Sequence, residues 1–213
     1  MSTVVDNDVL FKGACYGLLD KLVWTTSSSG VMGVLGSARF VVPKKIEKAN
    51  LNGQPAVALG LFLAFLRQAE TLEPTDREQR MAADLELAAQ MLGVSLDTGE
   101  SQLCAIVVQR SLPLLVTGDK RAVAAIESLI DSDARLVAIC EKVKCLEQVF
   151  LGSVVRHGCA TLRTCVCSEP GIDKALSICF SCKTRLLDDA TVLEGLQSYI
   201  KDLRQRATRV LAP

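Results

Sequence analysis

The fold class follows from the stretch Leu114-Leu115-Val116-Thr117-Gly118-Asp119 and the residues after it. Three apolar residues and a β-branched threonine predict a short buried strand from Leu114 to Thr117. Gly118 and Asp119 end this strand, and Lys120 to Ile130 has the apolar spacing of a helix. A buried strand that leads directly into a helix is typical of α/β folds with parallel strands.

The same alternation is found in both directions along the chain. Residues 2–5 predict a buried strand, and Asn7 to Trp24 has helical spacing. Val31 to Lys48 predicts one or two helices, broken or kinked near Pro43. Arg135 to Cys140 predicts a further strand that leads into a helix through about Val155. We therefore expect an α/β fold with a central, mostly parallel sheet.

Composition limits the class of protein. The chain has 213 residues, 49% of them hydrophobic and 23% charged, which is typical of a folded domain with a small appendage. The formal net charge is zero, so the overall charge of the chain does not indicate that it binds nucleic acid. We find neither a signal peptide nor an apolar run long enough to span a bilayer, and we expect a cytoplasmic protein without membrane contact.

Acidic residues stand where strands lead into helices. Asp6 follows the first strand, Asp119 follows Leu114 to Thr117, and Asp97-Thr98-Gly99-Glu100 opens another helix. Carboxyl ends of parallel strands share one edge of a sheet, so these carboxylates can meet there. A carboxylate cluster is costly unless a cation neutralises it, and hard divalent cations prefer oxygen ligands. The pattern predicts an Mg²⁺ or Mn²⁺ site.

The same acids have a purely structural interpretation. Asp97 and Glu100 have the spacing of a capping box at a helix start. Asp6 and Asp119 precede predicted helices, where aspartate is a favoured N-cap. Both interpretations are open at this point.

Three motifs together resemble those of PIN-domain nucleases. They are Val5-Asp6-Asn7-Asp8, Asp97-Thr98-Gly99-Glu100-Ser101 and Leu115-Val116-Thr117-Gly118-Asp119, in that order. The resemblance implies a three-layer α/β/α sandwich over residues 1–156 and Mg²⁺- or Mn²⁺-dependent cleavage of RNA, often by a toxin that is paired with an antitoxin. It also implies that a homodimer could form. On it we assign Asp6, Glu100, Asp119 and Asp97 as metal-binding catalytic residues.

One position departs from the PIN-domain pattern. The family often has a further Glu after the first polar loop, where this chain has Arg39 and no acid before Glu47. Either Asp97 or Asp8 completes the ligand set, or catalysis is weak or lost. Arg39, Lys120 and Arg121 are our candidates for contact with substrate phosphate. We interpret the lysines at 44, 45 and 48 as a solvated face.

The composition changes from His157, and we assign residues 157–213 as a cysteine-rich C-terminal extension that ends in an amphipathic helix from about Asp189 to Leu211. Cys165 and Cys167, with Cys179 and Cys182, have a spacing that could hold a structural Zn²⁺. The alternatives are buried thiols and a redox function. Nine cysteines in a reducing cytosol favour thiols or metal ligands over disulfides.

Three functions remain open from the sequence. The first is a metal-dependent endoribonuclease that uses metal-activated water. The second is a non-catalytic PIN-like scaffold that binds a protein or RNA partner through its C-terminal extension. The third is an unrelated α/β enzyme that acts on another phosphorylated substrate, although the chain has neither a GxGxxG nor a Walker motif to hold phosphate.

Overall fold

A parallel sheet forms the centre of the molecule. The computed structural model describes residues 3–26, 31–184 and 189–213. In these residues five strands, all parallel, lie in the order β3-β2-β1-β4-β5. The strands are β1 (Thr3–Val5), β2 (Met32–Leu35), β3 (Glu70–Leu72), β4 (Leu115–Thr117) and β5 (Val143–Cys145).

Helices connect the strands and continue beyond the last one. Those before β4 are α1 (Asn7–Cys15), α2 (Leu19–Thr26), α3 (Ala38–Lys48), α4 (Pro55–Leu66), α5 (Asp76–Leu92) and α6 (Thr98–Gln109). Those after β4 are α7 (Lys120–Leu129), a 3-10 helix (Ala134–Ile139), α8 (Leu146–His157), α9 (Cys159–Ser168), α10 (Lys174–Cys179) and α11 (Asp189–Arg206). The predicted α/β class with a parallel sheet is confirmed.

Side-chain alternation along the strands creates two apolar cores. Val5 and Val116 face the first core, which α1, α3, α4 and α8 cover. Val4 and Leu115 face the second core, which α5, α6 and α7 cover. Because successive residues of a strand point to opposite faces, one buried strand contributes to both cores. Helices therefore cover both faces of the sheet.

The order of the strands creates a crevice between β1 and β4. From β1 the chain extends the sheet on one side through β2 and β3, and then returns to add β4 on the other side of β1. The connections that leave β1 and β4 therefore diverge. In parallel sheets such a switch point is where ligands bind, beyond the carboxyl ends of the strands. Asp6 and Asp119 follow these two strands.

Two predicted elements differ from the structure. The stretch predicted to be entirely helical contains β2 before α3, and α3 runs as one helix with Pro43 inside it. A four-residue buried strand cannot be distinguished by periodicity from the start of an apolar helix. The strand predicted over Arg135 to Cys140 is a 3-10 helix, because Leu136 and Ile139 are buried at the i, i+3 spacing of that helix.

The segment after residue 156 packs into both cores. Leu162 and Phe180 belong to the first core, and Leu211 to the second. The last helix ends at Arg206, earlier than predicted, and the chain then runs beside β5. There the backbone N–H of Ala212 donates to the carbonyl of Val143 at 2.7 Å. The cores are thus continuous across the boundary predicted at residue 156.

Across the described ranges, every helix is too short or too polar to serve as a membrane span.

Candidate functional site

A cleft of about 810 Å³ opens at the carboxyl edge of the sheet, beyond β1 and β4. Its walls come from the first turns of α1, α6 and α7 and from one side of α3. The cleft brings together all four acids predicted to bind metal, together with Asp8, which the sequence offered as an alternative ligand. These acids are Asp6, Asp8, Asp97, Glu100 and Asp119.

Asp6 is buried at the start of α1. Its carboxylate accepts a hydrogen bond from the backbone N–H of Asp8 at 3.3 Å, as an N-cap. Only 7% of the Asp6 surface is exposed to solvent. Burial, followed by the charge of Asp8, raises the pKa of Asp6 to about 6. Asp6 is therefore partly protonated near neutral pH in the free protein.

Glu100 and Asp97 form a capping box at the start of α6. The N–H of Glu100 donates to Asp97 Oδ1 at 2.9 Å, and the N–H of Asp97 donates to Glu100 Oε2 at 3.0 Å. Burial raises the pKa of Glu100 to about 8, with further increases from the charges of Asp97, Asp119 and Asp6. These effects outweigh the hydrogen bond from Asp97. Glu100 thus holds a proton at neutral pH when no cation is near.

Asp119 caps α7 and has a cationic partner. Its Oδ1 accepts the N–H of Arg121 at 2.7 Å, and its Oδ2 accepts from the Arg121 guanidinium at 2.8 Å. Burial would raise the pKa of Asp119, but the hydrogen bonds from Arg121 lower it below its ordinary value. The N–H of Asp119 donates to Thr117 Oγ1 at 3.1 Å, which fixes the turn after β4.

The capping interpretation of these acids is confirmed, and it does not separate them from the cleft. Asp6, Asp97, Glu100 and Asp119 each accept backbone hydrogen bonds at a helix start, and each lines the cleft. The same local signal therefore placed four carboxylates at one edge of the sheet. Their assignment as metal ligands stays a prediction.

The donor chemistry of the cleft fits a hard divalent cation. Asp6 and Glu100 are buried acids with raised pKa values, and neither has an ion pair within the described ranges. A cation between them would stabilise both carboxylates. As the side chains are placed, however, no three acidic, cysteine or histidine side chains form a coordination cluster in residues 3–26, 31–184 and 189–213.

Of the predicted phosphate contacts, only Arg121 lines the cleft. Arg39 lies outside it, because its guanidinium pairs with Glu73 at 3.3 Å. Lys120 lies outside it as well, because its ammonium group pairs with the buried Glu147 at 2.5 Å and lies 4.3 Å from the centre of the Tyr199 ring.

Two further cations line the cleft: Lys12, which sequence reasoning missed, and Lys45, which it interpreted only as part of a solvated face. Lys12 follows Asp8 by one helical turn, a spacing that signals an ion pair on α1. Lys45 lies two turns after Ser37 along α3, and both residues line the cleft together with Val41. Helical periodicity predicts that Ser37, Val41 and Lys45 share one face of α3, but it does not predict that this face lies beside the acids.

The four cysteines considered for a structural Zn²⁺ are not four thiols in this structure. Cys167 and Cys182 form a disulfide with a Cα–Cα distance of 5.0 Å, so they are not thiolate ligands. Cys165 and Cys179 are free thiols, and burial raises the pKa of Cys179 to about 11. The expectation that the cysteines avoid disulfides is wrong for this pair.

Comparison of the chain with protein-family models, with curated proteins and with solved structures found no match. The resemblance of the acidic motifs to PIN-domain nucleases therefore stays a prediction.

Proposed function

We propose that this protein is a divalent-metal-dependent, PIN-like endoribonuclease. One observation carries the proposal. The crevice between β1 and β4 contains two buried acids, Asp6 and Glu100, that have raised pKa values and form no ion pair in the described ranges. Strongly perturbed acids in a cleft are typical of functional sites. The three-layer arrangement and the order of the acidic motifs agree with the proposal.

The residues of the cleft have distinct roles in this proposal. When bound, Mg²⁺ or Mn²⁺ would activate a water molecule and withdraw charge from the phosphate. Asp6, Asp97 and Asp119 would hold the cation. With the cation bound, which favours the ionised form, Glu100 would be suited to accept a proton from the attacking water, because burial makes its carboxylate more basic than that of an ordinary glutamate. Its Oε2 accepts the N–H of Asp97, so Oε1 is the atom assigned to proton transfer.

The cations of the cleft walls support a polyanionic substrate. Lys45 on α3 and Arg121 on α7 line the same cleft as the acids. Contacts of this kind with phosphate oxygens give affinity and orientation without reading the sequence of the nucleic acid. We therefore expect cleavage of RNA with little base preference, weakening as salt concentration rises.

A second function has an observation in its favour. Asp119 is engaged by Arg121, and the described side chains form no coordination cluster. Both features suit a non-catalytic PIN-like scaffold in which the acids only cap helices. In that case the cleft would bind RNA or a protein partner without cleaving it.

Cleavage of a labelled RNA oligonucleotide with Mn²⁺ or Mg²⁺ separates the two functions. We expect parent activity that EDTA removes, and losses of about 100-fold in Asp6→Asn and Glu100→Gln. Asp133→Asn is the matched control, because Asp133 caps the 3-10 helix away from the cleft and asparagine keeps a cap. No cleavage by the parent with either metal favours the scaffold. Cleavage that survives both cleft substitutions overturns the assigned site.

A further inference from the structure

We propose that Lys12 is a positioning residue that keeps Asp8 out of the metal-binding set, and that Asp173 of the C-terminal segment holds Lys12 in place. The inference rests on the proposed function, since it concerns the charge of the same cleft. It explains how five acids can line one cleft while fewer serve as ligands. It also gives the segment after residue 156 a part in the site.

The ion pairs that carry the inference are short and largely shielded from water. The ammonium group of Lys12 lies 2.7 Å from Asp8 Oδ2 and 2.7 Å from Asp173 Oδ2. The three side chains are 12%, 28% and 13% exposed, respectively. Lys12 lines the cleft, so this bridge forms part of its wall. Ion pairs this shielded are costly to break from one side, because the remaining charge loses its partner.

Asp8 lies next to the residues proposed to hold the cation, where an additional negative charge would affect both metal and substrate. Its carboxylate lies against Gly118, so closely that a Cβ at position 118 would overlap it. Gly118 directly precedes Asp119, and Asp8 lies in the first turn of α1, whose N-cap is Asp6. An unpaired carboxylate here would compete for the cation and repel the substrate phosphate. Paired with Lys12, Asp8 has one carboxylate oxygen bound to a cation, although the three side chains together keep one negative charge.

Two acids anchor the loop that carries Asp173. Asp173 caps α10 through the N–H of Leu176 at 2.9 Å. At the other end of the loop, the Glu169 carboxylate accepts the N–H groups of Asn52 and Gly53 at 2.7 and 2.6 Å. The loop is therefore fixed to the turn between α3 and α4 on one side and to Lys12 on the other. Its position sets the position of the lysine.

A double-substitution cycle between Lys12 and Asp8 tests the inference. Mn²⁺ affinity is measured by calorimetry, and kcat and KM by RNA cleavage, for Lys12→Met, Asp8→Asn and the double variant. In Lys12→Met we expect kcat to fall about tenfold or more while Mn²⁺ binds more tightly, because Asp8 becomes a competing ligand. Asp8→Asn in the same chain should restore kcat to within about threefold of the parent.

Lys45→Met is the matched control, because it removes the same charge from the same cleft. Lys45 has no ion pair within the described ranges, so its loss should raise KM, and Asp8→Asn should give no rescue. Asp173→Asn keeps the cap of α10 but loses the charge, and we expect a smaller fall in kcat, of about threefold. This variant also tests the bridge if Lys12→Met alone does not fold.

Each remaining outcome is decisive. An unchanged kcat in Lys12→Met, or a folded double variant without rescue, overturns the role of Lys12. If the parent cleaves no RNA with any divalent metal, the proposed function fails while the Mn²⁺ affinities still decide the inference. In that case tighter Mn²⁺ binding by Lys12→Met supports the inference, and unchanged or weaker binding overturns it.

Discussion

At the scale of single residues, two glutamates in the same structural role have opposite ionisation. Glu78 and Glu100 are both buried and both complete a capping box at the start of a helix. The Arg110 guanidinium donates to both oxygens of Glu78 at 2.7 and 2.8 Å and holds its pKa at about 2. Burial without such a partner raises the pKa of Glu100 to about 8. The unbalanced charge, rather than the cap, distinguishes the cleft acid.

Glu100→Gln should therefore stabilise the metal-free protein at alkaline pH. The folded pKa of Glu100 lies above the ordinary value of 4.5, so the folded state retains a proton that the unfolded chain has lost. Stability from this group is fully present below about pH 4.5 and is lost as pH rises to about 8. At about pH 8 we expect a gain of roughly 1–3 kcal/mol, which thermal unfolding would show as an increase in Tm of several degrees.

Glu78→Gln provides the opposite result in the same assay. It removes the carboxylate that Arg110 binds, and we expect a loss of about 2 kcal/mol at neutral pH. The loss should diminish as pH falls through about 2, where Glu78 itself becomes protonated. If both glutamine variants were destabilised equally at about pH 8, the unbalanced charge at Glu100 would be disproved.

At the scale of elements, three helices begin at one cleft. The N-termini of α1, α6 and α7 carry unsatisfied N–H groups, and the cleft acids accept hydrogen bonds from them. Partial positive charge at a helix N-terminus favours a nearby carboxylate. The fold thus makes it less costly to gather acids at this edge than an exposed acidic cluster would be. Capping and function share the same residues.

Asp119 allows these two contributions to be separated. Asparagine is about as good an N-cap as aspartate, so Asp119→Asn should keep the stability of α7 while RNA cleavage falls by about 100-fold. Asp119→Ala removes the cap and should cost about 1 kcal/mol in addition to the activity. Denaturant unfolding and the cleavage assay measure both quantities on the same samples. Equal activity of Asp119→Asn and the parent would show that Asp119 only caps the helix.

Local sequence signals predicted the elements that begin or end at a clear capping or turn residue. The capping box at Asp97 located the start of α6, and the apolar run that ends at Asp119 located β4. The strands β2, β3 and β5 were missed, because runs of three or four residues are too short to show a periodicity of their own. The Lys12–Asp173 pair and the Cys167–Cys182 disulfide depend on how the C-terminal segment folds back. Spacing along the chain contains no information on that path.

At the scale of the whole molecule, the C-terminal segment packs against the helices on both faces of the sheet. Arg209 donates to Glu127 Oε1 on α7 at 2.7 Å and pairs with Asp131 at 2.6 Å. The backbone N–H groups of Arg209 and Val210 donate to Glu127 Oε2 at 2.9 and 3.0 Å. These contacts satisfy a buried glutamate on the second core, while α9 and α10 complete the first core. The segment is integrated into the folded domain.

A chain that ends at residue 156 should consequently fail to fold. It would lose Leu162, Phe180 and Leu196 from the first core and Leu211 from the second, all fully or almost fully buried. Truncating one such side chain to alanine typically costs about 2–5 kcal/mol, whereas a whole domain is stable by only about 5–15 kcal/mol. We expect no cooperative thermal transition by circular dichroism.

Removal of the exposed Pro213 alone is the control and should leave Tm within about 2 °C. A cooperative transition in the shortened chain would instead establish residues 1–156 as an independent domain, and Asp173 could then act on the cleft only as a docked appendage.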